Sequence, residues 1–331
     1  MAKDARERTV VFVVFPGFQS LDLTGPFEVF AGANDLLDAE GRTGPRYRPL
    51  IAAASTGAVT SESGLGIVAT HSLGAVRGNV DTLVVVGGRG TNTASRDDQL
   101  IGEVRRLARS ARRVTSVCTG AFVLAASGLL GGRTACTHWA RADQFEKRFP
   151  NVDLDRDSLY RCDGKIWTSA GVTAGVDLTL ALVAEDHGPE LAQTVSRWLV
   201  MFYRRPGGQS QFAAPVWRGV SGRESIRGLC DRVVADPGGD HHLPHLAAAA
   251  AMSERNFLRV FVREIGVTPA KFVESVRVDA ASRALETTDV GVDVIAKASG
   301  FGTAETMRRT FLRTKGIAPS DYRSRFTLRT T

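Results

Sequence analysis

A pattern that occurs twice constrains this chain more than any other feature. Ser253 matches Thr303, Arg259 matches Arg309, Phe261 matches Phe311 and Arg263 matches Arg313, all at an offset of fifty residues. Gly266 then matches Gly316, Val267 matches Ile317, Pro269 matches Pro319 and Phe272 matches Tyr322. Eight agreements of chemical type within twenty positions mark a duplicated module, and two copies are too few for a solenoid. Each copy reads as a short helix (residues 243–250 and 292–299), a tight turn, and a second helix opened by Ser253 or Thr303. A serine or threonine there caps the helix, because its hydroxyl accepts from first-turn amides.

The second helix of each copy has two faces. In the first, Phe257, Val260, Phe261 and Ile265 share one side and leave Arg255, Asn256, Arg259 and Arg263 outside. In the other, Met307 and Phe311 point inward while Glu305, Arg308 and Arg313 point outward. Short helix, turn and polar-faced helix is helix-turn-helix geometry, whose second helix enters a major groove of double-stranded DNA. Arginine and asparagine read guanine and adenine edges there, and the remaining cations pair with phosphates. Residues 269–287 join the copies as a helix with Phe272, Val276 and Ala280 on one side, about 28 Å long at 1.5 Å per residue. Reading helices held near the roughly 34 Å of one DNA turn can enter successive grooves on one face. The plain alternative is a helical bundle with solvated arginines.

Charge placement agrees with a polyanionic partner. The formal net charge is +7 over 331 residues, and from Arg308 onward seven basic residues stand against one acid, Asp321. Hydrophobic residues at 43 % and charged residues at 23 % exclude wholesale disorder. No apolar run reaches the ~18–20 residues of a membrane span, and the first eight residues are polar and charged. The four cysteines lie far apart with no Cys-x-x-Cys pair, against a zinc ribbon or a disulfide scaffold. The expectation is a cytoplasmic protein with reduced thiols, no metal, no cofactor and no membrane partner, associated with the nucleoid when bound to DNA.

The first two hundred residues are of another kind. Residues 10–15 and 83–86 are continuous apolar runs closed by Pro16-Gly17 and Gly87-Gly88, as suits central strands of a parallel sheet. Helical stretches fall at 26–37, 97–110, 121–130, 140–148 and 174–186, with Pro26 at a first helical position. This alternation predicts an α/β sandwich whose strand-end loops gather on one edge. Arg204-Arg-Pro-Gly-Gly-Gln-Ser-Gln211 is turn-rich and basic, and beyond it the composition turns helical. The domains expected are therefore 9–203, a linker at 204–223, and 224–331.

One strand-end loop carries chemistry. In Val114-Thr-Ser-Val-Cys118-Thr-Gly-Ala-Phe122 a β-branched strand runs through small residues into a helix, with Ser116 and Gly120 two residues either side of the cysteine. That spacing matches a nucleophile elbow. The helix N-terminus is expected to favour the thiolate and lower the pKa of Cys118. The Thr119 amide and the backbone at Gly88 can together cradle an oxyanion. His138, in Cys136-Thr-His-Trp139, and Asp22, in the loop after the first strand, can meet the cysteine on the same edge. The plainer readings are a small buried cysteine, a structural histidine beside Trp139, and a helix-entry cap.

Residues 10–186 resemble the PfpI-like family, with its class I glutamine-amidotransferase-like, flavodoxin-like α/β fold. The likeness rests on Phe15-Pro-Gly-Phe18, Asp22-Leu-Thr-Gly-Pro-Phe-Glu-Val-Phe30, Val86-Gly-Gly88, the Cys118 elbow and Thr137-His-Trp139. It implies Cys118 as nucleophile, Asp22 as its hydrogen-bonded acid and His138 nearby. Asp stands where the deglycase branch has Glu, and Asp with Cys-Thr resembles the isonitrile-hydratase branch. Residues 224–331 resemble the AraC-type DNA-binding domain, through Met252-Ser-Glu-Arg-Asn-Phe-Leu-Arg-Val-Phe261, Gly266-Val-Thr-Pro269, Gly300-Phe301, Arg309-Thr-Phe311 and Gly316-Ile-Ala-Pro-Ser-Asp-Tyr-Arg323. This resemblance implies groove contacts from Arg255, Asn256 and Arg259, and from Glu305, Arg308 and Arg309. Leu258 stands where such domains often have a polar reader.

The two together are similar to GlxA-type transcriptional regulators. They imply promoter binding by the helical domain, with an N-terminal domain that senses an unidentified small molecule and forms homodimers. The competing reading is an enzyme, a cysteine-dependent hydrolase or hydratase using Cys118, of isonitrile-hydratase or amidase type.

Overall fold

The computed structural model describes residues 7–201, 203, 208–209 and 224–326. The chain divides into two compact units, one ending at Gln209 and the other beginning at Ser210. The stretch read as a linker, 204–223, lies outside the described residues except for Gly208 and Gln209.

In the first unit the apolar runs become strands because only a doubly covered sheet buries them on both faces. The strands are β1 (Arg8–Val13), β2 (Tyr47–Ala53), β3 (Gly57–Thr60), β4 (Gly66–Ala69), β5 (His71–Ser72), β6 (Thr82–Val85), β7 (Arg113–Val117), β8 (Thr134–Ala135), β9 (Asp153–Leu154), β10 (Tyr160–Asp163) and β11 (Ile166–Ser169). Seven form one sheet in the order β10-β11-β7-β6-β1-β2-β5, parallel except for β10 against β11. The sheet is covered by α1 (Ser20–Ala39), α2 (Thr91–Ala94), α3 (Asp98–Ser110), α4 (Gly120–Ala126), α5 (Ala142–Arg148), α6 (Thr173–His187) and α7 (Pro189–Trp198). Phe12, Phe18, Phe30, Phe122 and Phe145 are fully buried between the layers. This is the flavodoxin-like sandwich expected.

One boundary differs. Helix α1 begins at Ser20, where the Gln19 side chain accepts from the Leu21 amide, so Pro26 lies inside the helix rather than at its start. Tertiary packing overrides the local preference: Pro26 and Asp22 are both buried, and the earlier start carries Asp22 onto the sheet edge.

The second unit is helical: α8 (Glu224–Ala235), α9 (Leu243–Ala249), α10 (Glu254–Ile265), α11 (Pro269–Thr287), α12 (Val292–Ala298), α13 (Ala304–Lys315) and α14 (Pro319–Phe326). Both copies of the repeat close alike, since Gly266 and Gly316 end α10 and α13 in the left-handed conformation, at φ 83° and 70°. Each copy has its own core. Phe257, Phe261, Phe272, Val273 and Val276 belong to one, and Val278, Ala281, Leu285, Met307, Phe311 and Tyr322 to the other. Helix α11 therefore serves both, and its apolar face turns along its length. Ala280, expected on that face, is only half-buried, and Ala281 takes its place. Among the described residues, no helix is long and apolar enough to cross a membrane.

Candidate functional site

Four neighbouring strands, β1, β6, β7 and β11, end at the same edge of the sheet, and the turn after each brings one piece of a site. After β7 comes Cys118, at φ +58°. A non-glycine residue held there is strained, and the strain is what lifts a side chain off a strand-to-helix turn. Gly120, two residues on, passes so close to β6 that a Cβ would lie 2.2 Å from the Val85 carbonyl oxygen. After β11 comes Gly171, where a Cβ would lie 2.2 Å from that of Cys118, so only glycine permits the approach. Val172, at φ +52° and ψ −118°, follows in a conformation unusual for a β-branched residue.

The strained turn at Val172 has a visible result. Its amide donates to Asp22 Oδ1 at 2.8 Å, and the Gly87 amide after β6 donates to Asp22 Oδ2 at 3.0 Å. Asp22 is fully buried in the first turn of α1 and hydrogen-bonds the Cys118 thiol. Burial pushes its carboxyl up to about 7, against the lowering pull of the two amides. Near neutral pH this acid is close to half-ionised, so it can hold or release a proton beside the sulfur.

The thiol itself departs from expectation. Cys118 is 8 % exposed, and burial followed by the Asp22 charge holds its pKa well above the ordinary thiol value. The Thr119 amide and hydroxyl hydrogen-bond the sulfur but do not offset this. The expected lowering at the helix N-terminus is thus corrected: desolvation and a neighbouring carboxylate outweigh the end of a helix only seven residues long.

The oxyanion pair and the histidine are placed as follows. Gly88 donates its amide to Thr119 Oγ1 at 2.9 Å, and that hydroxyl also meets Thr91 Oγ1 at 2.8 Å. His138 stands half-buried on its loop, its ring 5.4 Å from that of Trp139 and tilted 31° to it, with Nδ1 accepting from the Ala140 amide. Burial and then Arg141 lower its pKa. Among the described residues no hydrogen bond joins His138 to Cys118 or Asp22; its neighbour Thr137 makes the connection instead, donating from Oγ1 to the Cys118 carbonyl at 2.9 Å. Beside Thr119 lies a narrow crevice of about 10 Å³, room for roughly one water, bordered by Gly88, Arg89, Asn92, Phe122 and Arg141.

The second unit presents a different surface. Ser253 Oγ accepts from the Asn256 amide at 3.4 Å and Thr303 Oγ1 from the Thr306 amide at 3.1 Å, so both are helix caps. On α10, Arg255 and Arg259 are exposed, and Arg259 Nη2 donates to Asn256 Oδ1 at 2.9 Å. On α13, Glu305 pairs with Arg308 at 2.8 Å and with Arg309 at 3.8 Å, all three exposed. The repeat is therefore unequal: Leu258, 39 % exposed, occupies on α10 the place of Arg308 on α13.

A family model described as DJ-1/PfpI family matches residues 8–185. The chain belongs to the DJ-1/PfpI family. A helix-turn-helix domain model matches residues 246–325, so this DJ-1/PfpI chain carries a helix-turn-helix unit of AraC type behind the first. The chain is 35 % identical to the HTH-type transcriptional regulator Rv1931c of Mycobacterium tuberculosis, over 75 % of this chain and 96 % of that one. It is 26 % identical to the HTH-type transcriptional regulator GlxA of Rhizobium meliloti, over 98 % of each. The isonitrile hydratase of Pseudomonas putida is 37 % identical over 56 % of this chain and 74 % of its own. A THiJ/PfpI family protein from Pseudomonas syringae superposes with a TM-score of 0.52 at 27 % identity, covering 75 % of this chain and 92 % of that one.

Sequence reading of this DJ-1/PfpI protein missed four contributors. Gly171 and Val172 shape the thiol's surroundings, and the Ser-Ala-Gly run that precedes Val172 is the only signal that points to them. Glu62 accepts from Gln19 Nε2 at 2.9 Å and from the Arg89 amide at 2.7 Å, and its charge raises both Asp22 and Cys118. Gln209, read as linker, is 2 % exposed and bonded to the loop that carries His138.

Proposed function

We propose that this protein is a sequence-specific DNA-binding transcriptional regulator of the AraC/GlxA type, whose DJ-1/PfpI unit senses a small molecule at the Cys118 edge. The observation that carries the reading is the duplicated, capped helix pair with Arg255, Asn256 and Arg259 on one outer face and Glu305, Arg308 and Arg309 on the other. Paired side chains on such faces exchange partners on docking: Arg259 leaves Asn256, and Arg308 and Arg309 leave Glu305, for base edges and phosphates. Glu305 then suits a cytosine amino group, since a carboxylate repels phosphate. The division of labour follows the sequence, with sensing and homodimerisation in 9–203, a linker at 204–223 and DNA reading in 224–331. Dimers double the reading helices and raise affinity through effective concentration.

The test is binding to duplexes selected from a random pool, with genome-wide footprinting of the tagged protein alongside. Replacing Arg308 and Arg309 together by Ala is expected to lower affinity at least ~100-fold, at about 1–3 kcal/mol per lost contact, with the helical content unchanged. The wild-type affinity should fall steeply with salt as phosphate contacts release counterions. Unchanged affinity in the double variant would sink the assignment.

A second reading has one observation in its favour: the strained elbow and the Asp22–Cys118 pair are those a cysteine hydratase needs, with Asp22 taking the thiol proton. The raised thiol pKa and the absence, among the described residues, of a hydrogen bond from His138 to Cys118 favour sensing over turnover.

A further inference from the structure

Gln209 is an unusual residue to find at the end of the first unit. Its stretch is glycine- and proline-rich, yet its side chain is buried and fully bonded. Nε2 donates to the Thr137 carbonyl and to the Ser158 carbonyl, each at 3.0 Å. Oε1 accepts from the Trp139 amide at 2.8 Å, and the Gln209 amide donates to the Asp157 carbonyl at 2.6 Å. Gly208 lets the chain descend into this seat, because a Cβ there would lie 2.4 Å from Asp157 oxygens. A buried amide with every donor and acceptor placed is a specific anchor and not a strand of passing linker.

The seat has two walls, and both lead to the thiol. The first is the 137–139 turn, in which Thr137 Oγ1 holds the Cys118 carbonyl at 2.9 Å. The second is the 157–159 turn. There the Leu159 carbonyl accepts from the Ala170 amide at 2.8 Å, and Ala170 is followed by Gly171, whose backbone presses on Cys118. Each wall is one hydrogen bond from the residues that enclose the sulfur. The Gly171 backbone presses on the Cβ and Sγ of Cys118, which is 8 % exposed, so a group added to the sulfur needs room that the surrounding turns must yield. Fifteen residues beyond Gln209 the DNA-reading unit's first described helix, α8, begins at Glu224.

We infer that Gln209 is a positioning residue that couples occupancy of the Cys118 site to the segment leading to the DNA-reading unit. The coupling rests on the regulator reading above. With the thiol unmodified, the glutamine amide is seated and residue 209 is fixed. An adduct shifts the turns at 137–139 and 157–159, and the Gln209 amide loses its partners there.

The experiment uses the full-length protein in a Cys162→Ser background, since Cys162 is exposed whereas Cys136 and Cys230 are buried. Cys118 is alkylated with iodoacetamide, and amide hydrogen exchange is followed by mass spectrometry. Exchange at the Trp139 and Gln209 amides is expected to speed up about ten-fold on alkylation, because both lose their acceptors. Unchanged protection at both overturns the inference, whether or not the protein binds DNA. In the second arm, affinity for a duplex selected from a random pool is expected to change at least about five-fold on alkylation. In Gln209→Ala the same treatment should change it less than about two-fold. An equal response in wild type and variant, or none in wild type, overturns the coupling. Failure of the unmodified wild type to bind any selected duplex strikes the regulator reading instead, and the exchange arm still decides the seat. If Gln209→Ala does not fold, Gln209→Asn keeps the amide but is one methylene too short to reach both carbonyls.

Discussion

Two buried carboxylates lie at opposite ends of one parallel sheet, and their surroundings drive them to opposite charge states. At the N-terminal ends of β1 and β7, Asp186 is met by Arg113 and Arg8, each at 2.6 Å, by Arg112 at 3.0 Å and by the Tyr47 hydroxyl at 2.8 Å. Burial would raise its pKa, but these partners hold it below the ordinary range. At the C-terminal ends, Asp22 is buried more deeply still and meets two amides and a thiol, with no cation among the causes of its shift, and it rises to about 7. The same residue type is thus a fixed anion where cations surround it and burial is partial, and a titrating acid where burial is complete and cations are withheld. One end of the sheet is built to stay as it is, and the other to change.

The comparison can be broken most forcefully at the charged end. Replacing Arg113 by Met leaves Asp186 buried with fewer cations, and the unfolding free energy in urea is expected to fall by about 3–5 kcal/mol. The same change should leave the alkylation rate of Cys118 as it was. A loss under ~1 kcal/mol would mean that the network is as dispensable as a surface pair.

The next test compares pH dependences. Because the Asp22 carboxyl is pushed up to about 7 when folded and stays near the ordinary 3.8 when unfolded, the folded state holds a proton that the unfolded state has released. Its stabilising contribution is present below pH ~4 and is lost as pH rises toward 7, a change on the order of 3–4 kcal/mol. Asp186 runs the other way, its contribution present above the unfolded pKa and lost as acid protonates it. The stability of wild type measured relative to Asp22→Asn should therefore fall with rising pH between 4 and 7 and stay level above it. Parallel curves throughout would show that Asp22 stays ionised.

The smallest effect is kinetic. At pH 7 iodoacetamide should alkylate Cys118 at least ~10-fold more slowly than free cysteine, since its raised pKa leaves little thiolate. Asp22→Asn removes the neighbouring negative charge and should speed the reaction about two- to five-fold. Labelling faster than free cysteine would return the thiol to the activated class and favour the hydratase reading.

Much of this was legible in the sequence, and the boundary of what was not is physical. Continuous apolar runs such as residues 10–15 and 83–86 can only be doubly buried strands, and the Ser253 and Thr303 caps mark helices whatever surrounds them. The Cys118 turn was legible because small residues two positions either side leave few other conformations. Burial, by contrast, is a property of the whole fold, so a helix N-terminus could be seen beside Cys118 while the desolvation that reverses its effect could not. The His138 loop follows β8, which pairs with β9 outside the seven-stranded sheet, and the ring's direction depends on Trp139 and Ala140 contacts that no spacing encodes. Gln209 was hidden for the opposite reason: the glycines that suggested a linker are what let the chain pack tightly.

Helix α11 lends its first half to the core of one reading unit and its second half to the core of the other. Neither core is complete without it, so order in one copy presupposes order in the other, and local melting cannot stop at the midpoint of a continuous helix. A duplicated module usually tolerates the decay of one copy; here the shared rod makes the pair a single cooperative unit, in which a packing lesion at Phe257 is felt at Phe311.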